Sequence, residues 1–361
     1  MVRVSGANMV ATAETQSFNR PDRFSEGWYW VVPARELKPG GVRAVRMMGR
    51  DLVAWRGRDG VAHVMDAYCP HMGAHLAEGR VDGDGLRCFF HDWKFDGAGE
   101  CVHVPCQDRP PQASVASWPT EERYGMVWVW TGARPAHPIP FAPELEGDPC
   151  DARVTHGFEK NCHPNVVMIN AIDAQHFNSV HNLPVKLYME RRDLSPHAST
   201  FSNTTRMPTS SWLTRFFGRF YAGPLTYSMC YWSGSNGTVT LGPDFLHFYI
   251  LFALRLGEGG RTEGQTILLT RHRPGVIGQL VSAVLLALSG VVGNYFAMGD
   301  TRVFQTIRFD FRTPIRADQA IIGFVKHLEG QRTVAWGSWD PIPGQIGLAQ
   351  GDEALGMAGG A

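Results

Sequence analysis

Cys69-Pro70-His71-Met72-Gly73 and, after sixteen residues between His71 and Cys88, Cys88-Phe89-Phe90-His91-Asp92-Trp93 decide how the first third of this chain is read. Each stretch places a thiol first and an imidazole after it, as C-x-H and then C-x-x-H. Two Cys/His pairs on separate loops can close a metal site from both ends. Zinc is the obvious competitor, because two Cys and two His make a legitimate structural site.

C-x-H is less usual in zinc sites than C-x-x-C, however, and the order of donors is the same in both pairs. A Rieske centre needs that symmetry, since two thiolates hold one iron and two imidazoles hold the other. Cys69, His71, Cys88 and His91 are therefore read as ligands of a [2Fe-2S] cluster. Gly73 and Trp93 suit tight loops wrapped over it. His75 is redundant in this pattern and is read as structural. Cys101 and Cys106 are read as small buried hydrophobes, and Cys150, Cys162 and Cys230 have no partner motif.

Around these loops the sequence alternates short strands with turns. Val42–Met47, Asp51–Trp55 and Val61–Met65 are separated by Gly49-Arg50 and Arg58-Asp59-Gly60, and Tyr124–Trp130 reads as a further strand. We divide the chain into a flexible leader (1–24), an all-β domain (25–135), a larger α+β domain (136–340) and a mobile tail (341–361). The Pro-rich Arg134–Pro140 serves as linker. The 361 residues suffice for two domains. With 34 basic and 34 acidic residues nothing advertises nucleic acid. Seven cysteines without an apolar N-terminal run point to a reducing cytoplasm, where thiols bind metal more readily than they pair.

The second constellation is Asn170-Ala-Ile-Asp173-Ala-Gln-His176-Phe-Asn-Ser-Val-His181, closed by Asn182-Leu-Pro184. Asp173 and His176 share a helical face, but His176 and His181 stand about 140° apart on an ideal helix. Ligands of one metal cannot diverge so far, so a π-bulge or a helix end is expected between them. Two His leave an iron short of the carboxylate that a facial triad wants. Asp173 and a distant acid are both open as the third ligand. Downstream, 244–252 and 264–270 read as strands, with Phe245, His247 and Tyr249 on one side of the first and Leu246, Phe248 and Ile250 on the other. Either face could line a cavity. Val276–Val292 reads as an apolar helix, buried or facing another subunit, and membrane association is not expected.

The two motifs together resemble those of Rieske-type non-haem iron oxygenases. The resemblance covers about residues 25–330, with His91-Asp92-Trp93 standing where the family commonly has His-Gly-Trp. It is nearest to ketosteroid hydroxylases and to an arylamine N-oxygenase. It implies an N-terminal Rieske domain followed by a helix-grip, START-like catalytic domain with an antiparallel sheet. It also implies a mononuclear Fe(II) held by His176, His181 and Asp300, the last in Asn294–Phe304, with Asp310 as competitor. Asp173 then bridges His176 to a Rieske His of a neighbouring subunit in a homotrimer, and Asn170 is grouped with it as catalytic. The implied activity is oxidation of a neutral apolar aromatic or polycyclic molecule by O2. No dinucleotide or flavin fingerprint is present, so electrons come from a separate ferredoxin or flavin reductase. The rival readings are a Rieske electron carrier without oxygenase activity and a structural zinc protein.

Overall fold

The computed structural model describes residues 17–181, 188–206, 219, 223–243 and 246–336. Most of the leader, the tail from 341, Asn182-Leu-Pro184 and Phe245 lie outside the described residues.

The N-terminal third is built of short antiparallel strands: β1 (Phe24–Ser25), β2 (Trp28–Pro33), β3 (Val42–Met47), β4 (Arg50–Arg56), β5 (Ala62–Asp66), β6 (Arg80–Asp82), β7 (Gly85–Arg87), β8 (Lys94–Phe95), β9 (Cys101–His103), β10 (Ser117–Trp118), β11 (Thr120–Arg123) and β12 (Met126–Trp130). They form sheets ordered β10-β5-β4-β3, β11-β12-β2 and β6-β7-β8-β9. The β3–β4 turn is Met48-Gly49, both at positive φ (51° and 78°), the conformation that matches a two-residue hairpin to strand twist. Val53, Trp55, Leu76, Leu86 and Phe95 fill the core beneath the Cys/His loops.

The second part is one antiparallel sheet with helices on it. Its strands are β13 (Cys150–Val154), β14 (Phe158–Lys160), β15 (Glu190–Ser195), β16 (Ala198–Arg206), β17 (Pro224–Trp232), β18 (Asn236–Pro243), β19 (Phe248–Leu256) and β20 (Thr262–Arg271). The order is β13-β20-β19-β18-β17-β16-β15, with β14 also on β20. The helices are α1 (Pro164–Asn170), α2 (Ala174–Ser179), α3 (Gly275–Thr306) and α4 (Gln319–Glu329). A final β21 (Thr333–Val334) returns to pair with β1. Alternation along β19 sends Ile250 and Leu254 into the core beneath α1, α3 and α4. Tyr249, Leu251 and Ala253 go into a second core with Trp28, Trp30, Trp128 and Trp130. The mixed strand and helix content and the antiparallel sheet agree with the α+β reading.

The two parts are locked together by that shared tryptophan-rich core. Arg255 reaches out of β19 to donate to the carbonyls of Trp30 (3.1 Å) and Val31 (3.2 Å), and its guanidinium lies 3.7 Å from the Trp30 ring centroid. Glu263 balances its charge at 2.7 Å. Gly27 crosses Gly234 so closely that a Cβ on Gly27 would lie 2.5 Å from the Gly234 Cα. The Pro-rich stretch read as a linker is pinned down. Ile139 is buried and the Trp28 indole donates to the His137 carbonyl at 2.8 Å.

Two further expectations change in part: the alternative that the apolar run is buried does not hold, and one of the two thiols read as buried is exposed. The apolar run continues as a 32-residue helix whose large side chains mostly face outward, because small residues occupy its sheet-facing side. Cys101 is buried as expected, but Cys106 is exposed.

Candidate metal centres

The Cys/His loops share one geometry. In each, the Cys carbonyl accepts from the N–H four residues on: Gly73 to Cys69 at 2.9 Å and Asp92 to Cys88 at 3.0 Å. The residue making that turn is left-handed in both, with φ 74° at Gly73 and 59° at Asp92. Glycine adopts this freely, whereas Asp92 does so with its carboxylate held by Arg80 (2.6 Å) and Arg87 (3.0 Å). Arg87 also donates to the Asp92 carbonyl at 3.0 Å. This clamp stands where the resembled family has glycine, and the run His91-Asp92-Trp93 was its only sequence signal.

The loops sort their donors by depth. Cys69 and Cys88 are 3% and 2% exposed, while His71 and His91 lie at the surface with ring centroids 4.6 Å apart. Trp93 stacks on His71 at 4.5 Å. Burial, together with the adjacent Cys88, pushes the Cys69 thiol up to about 11. Neither thiol is in a disulfide. Two buried thiols side by side beneath two exposed imidazoles fit an iron–sulfur centre whose thiolate charge is neutralised by metal. His75 stands apart as a cap, its Nδ1 accepting from the Ala77 N–H at 3.1 Å.

The second site begins where two short helices meet. His163 caps α1 by accepting from the Asn165 N–H, with Pro164 at the first helical position. At its other end Tyr231 donates to the Met168 carbonyl and Tyr227 to the Ala171 carbonyl, both at 2.6 Å. These phenols satisfy carbonyls left over as the helix stops. Burial raises the Tyr227 phenol above its usual value, and Asp300 adds to the effect, so it stays a neutral donor. The chain restarts as α2 with Asp173 as N-cap, Oδ1 accepting from the Gln175 N–H at 2.9 Å. The α2 helix ends at Ser179 and His181 lies beyond it. The helix end expected between the two histidines is present.

That ending lets both imidazoles converge on Asp300 of α3. His181 Nε2 is 3.0 Å and His176 Nε2 is 3.6 Å from Asp300 Oδ1. One donor atom from each of the three falls within 4.8 Å of the others. Two hydrogen bonds fix the tautomer of His176: Nδ1–H donates to the Asp173 carbonyl (2.6 Å) and Nε2 accepts from Asn170 Nδ2 (3.2 Å). Nε2 is thereby left unprotonated, with the one lone pair a metal ligand needs, and Asn170 caps that lone pair here. The support expected from the Asp173 carboxylate is supplied by its main chain, because the side chain is engaged as a cap. Burial lowers His181 below its ordinary value, against the pull of Asp300. Two imidazoles and one carboxylate on one side fit a divalent iron with open positions. Asp310 is half-exposed and paired with Arg312, away from this group.

Sequence reading missed how α3 reaches the histidines. A Cβ on Gly299 would sit 2.9 Å from His181 Cε1, so only glycine lets the helix pass. Phe177 and Phe296 wall the imidazole of His181 at 5.9 and 5.1 Å between ring centroids. These two walls are apolar, while Asn170 beside His176 and Lys160 toward Asp300 bring polar groups to the triad.

Residues 27–119 match the family described as the Rieske [2Fe-2S] domain. The chain is 38% identical over 167 residues to a cholesterol 7-desaturase of Bombyx mori, covering 45% of this chain and 36% of that protein. It is 36% identical over 182 residues to an aminopyrrolnitrin oxygenase of Pseudomonas fluorescens, covering 48% and 50%. A 3-ketosteroid-9-alpha-monooxygenase oxygenase component of Rhodococcus rhodochrous is 36% identical over 168 residues, covering 45% and 44%. The matched stretches thus span half or less of these relatives. Among solved structures, a caffeine-bound NdmA variant of Pseudomonas putida superposes with TM-score 0.62 at 16% identity, covering 86% of this chain and 96% of that one. Dicamba monooxygenase with non-haem iron and dicamba gives 0.57 at 20% identity, covering 86% and 97%. At these identities the structures speak for the fold.

Proposed function

For a chain that carries a Rieske [2Fe-2S] domain and has the fold of the Rieske oxygenases, we propose the oxygenase component of a multicomponent system. The observation that carries this reading is the coexistence, in one chain, of the cluster loops and a separate His176–His181–Asp300 group. A bound cluster would supply single electrons, and a bound mononuclear Fe(II) would supply positions for O2 beside substrate.

The protein's own residues do the rest. Cys69 and Cys88 hold the cluster from the buried side, and His71 and His91 present it to a donor at the surface. His176, His181 and Asp300, with their donor atoms gathered together, would hold the Fe(II). Asn170 helps to orient His176 through its contact with Nε2. Asp173 sets both the start of α2 and the tautomer of His176. It is the residue through which we route the electron from His91 of the partner subunit in a homotrimeric ring. Phe177 and Phe296 beside His181 favour a neutral apolar substrate, aromatic or polycyclic, which fits the cholesterol, aminopyrrolnitrin and 3-ketosteroid in the names of the relatives. Hydroxylation, N-oxygenation and oxidative cyclisation are all compatible with this site. Reducing equivalents come from a separate reductase, directly or through a ferredoxin, and the cytoplasm is the compartment.

An electron carrier lacking oxygenase activity would have no use for the triad. Iron and acid-labile sulfide counted on the purified protein test the choice. The oxygenase predicts about three irons and two sulfides per chain, and the carrier about two of each. A count of two irons in protein reconstituted anaerobically with Fe(II) would overturn the proposal.

A further inference from the structure

Helix α3 is amphipathic in the wrong sense for a solvent-facing element. Its sheet side carries Ser282, Leu286, Ser289 and Phe304, all buried, with Gly290 and Gly293 closing on Leu268 and Ile250. A Cβ on Gly293 would lie 3.1 Å from Ile250 Cδ1, so small residues are what allow the helix to seat. On the far side Val276, Ile277, Leu280, Val284, Val291 and Met298 are 53–82% exposed. At about 100° per residue these six fall within an arc of about 100°. They make one continuous apolar stripe along about six turns. From Pro274 to Gly299 no residue is charged and none is histidine. A stripe of this kind marks an interaction surface.

Both ends of the stripe are basic. Arg271, His272 and Arg273 precede it, and Arg302 and Arg308 follow. Arg302 is exposed and falls within the same arc, one turn beyond Met298. The only acid within the helix, Asp300, is turned to the opposite face, toward His181. Arg271 shares its charge with Asp148 and His272 with Asp151. Beside the helix start lies a cavity of about 360 Å³ lined by Arg271, Arg273, His247, Tyr249, Glu144 and Leu285 among others. The buried Nε2 of His247 has no hydrogen-bond partner among the described residues.

We infer that the outward face of α3 lies along the surface of an anionic phospholipid bilayer. The apolar stripe rests at the acyl boundary, Arg302 sits at headgroup level, and the Arg271–Arg273 cavity takes a headgroup phosphate. The body of the protein replaces the charged face that an isolated interfacial helix would need. A span is excluded by the packing of the other face on β19 and β20. A second copy of the chain fits less well. Subunit interfaces carry about one hydrogen bond per 100–200 Å², and between Val276 and Met298 the outward and flanking positions offer only Gln279, Asn294 and Tyr295 as polar side chains. The inference goes beyond the oxygenase reading and does not depend on iron. It does place the His176–His181–Asp300 group within about one helix diameter, 10–12 Å, of lipid.

The test is co-sedimentation of the full-length holoprotein with vesicles of phosphatidylcholine and phosphatidylglycerol in equal parts, and with phosphatidylcholine alone. We expect binding to the mixed vesicles, weakened by salt and by Arg273→Glu. It should fall about tenfold or more in each of the single variants Ile277→Gln and Leu280→Gln. Both positions are exposed, so unchanged visible absorbance and circular dichroism will certify the fold. Failure of wild-type protein to bind mixed vesicles would overturn the inference. So would wild-type affinity in both variants. An oligomer that the two variants dissociate, with no lipid binding, would make the stripe a subunit interface and overturn it as well.

Discussion

The two candidate centres are assembled in opposite ways. Every donor of the cluster lies between Cys69 and His91, on two loops that repeat one turn and sort thiol from imidazole by depth alone. The triad draws His176 from a helix of six residues, His181 from beyond its end and Asp300 from a 32-residue helix far along the chain. Local loops need only the right turns to offer their donors. A distributed site depends on supports elsewhere: two phenols on β17, a glycine in α3 and a helix that stops on time. The cluster loops should therefore fail by losing their metal, whereas the triad should also fail when a supporting contact is removed at a distance.

The largest effect is expected at the cluster. Cys88→Ser should abolish the visible bands, and because the cluster ties two loops together, the melting temperature should fall by about 5–10 °C. Retention of both colour and thermal stability would show that Cys88 is not a ligand. Next comes Gly299→Ala, which touches no donor atom directly. Its methyl displaces His181, so Fe(II) should bind about 10–100-fold more weakly, with the cluster spectrum unchanged. Wild-type iron affinity in this variant would show that the helix has room to give.

Tyr227→Phe is expected to act more mildly. It leaves the Ala171 carbonyl without its donor, at a cost of about 1–3 kcal/mol, read by chemical denaturation. Iron retention should fall with it, because the break between α1 and α2 orients His176. A stable Tyr227→Phe protein with full iron would mean that the helix break holds itself. The smallest effect is expected for Asp92→Gly. The ion pair with Arg80 is largely exposed and is worth about 0–1 kcal/mol, the more buried Arg87 keeps Asp82 and the main-chain carbonyl of residue 92 as partners, and glycine takes the left-handed turn without strain. The cluster should remain loaded and the melting temperature nearly unchanged. Loss of the cluster would show that the clamp is required to close the loop.

This contrast also explains what the sequence made legible. The candidate cluster ligands could be read because spacing and donor order are local properties, and Val42–Met47 and the strand read over Tyr124–Trp130, which the structure begins at Met126, could be read from short apolar runs bounded by turns. The helix end between His176 and His181 could be read because two ligands cannot diverge by about 140°. Asp300 emerged from resemblance, since no local pattern separates it from Asp310. Only its burial beside two imidazoles does so. The cap at Asp173 was hidden because a D-x-x-H spacing fits one continuous helix as well as a helix start. The outward stripe of α3 was hidden because an apolar run does not reveal which side packs. That was decided by Ser282, Ser289, Gly290 and Gly293 matching Ile250 and Leu268 on β19 and β20.

The central claim is that an open-sided iron held by His176, His181 and Asp300 exists independently of the cluster. Its most direct test is electron paramagnetic resonance of the anaerobic, dithionite-reduced protein after addition of nitric oxide, which binds Fe(II) only at a free coordination position. The account predicts a high-spin ferrous-nitrosyl signal beside an intact reduced Rieske signal in the wild type. In His176→Ala and Asp300→Ala the nitrosyl signal should vanish and the Rieske signal remain. A nitrosyl signal that persists in both variants, or its absence from iron-replete wild-type protein, would contradict it.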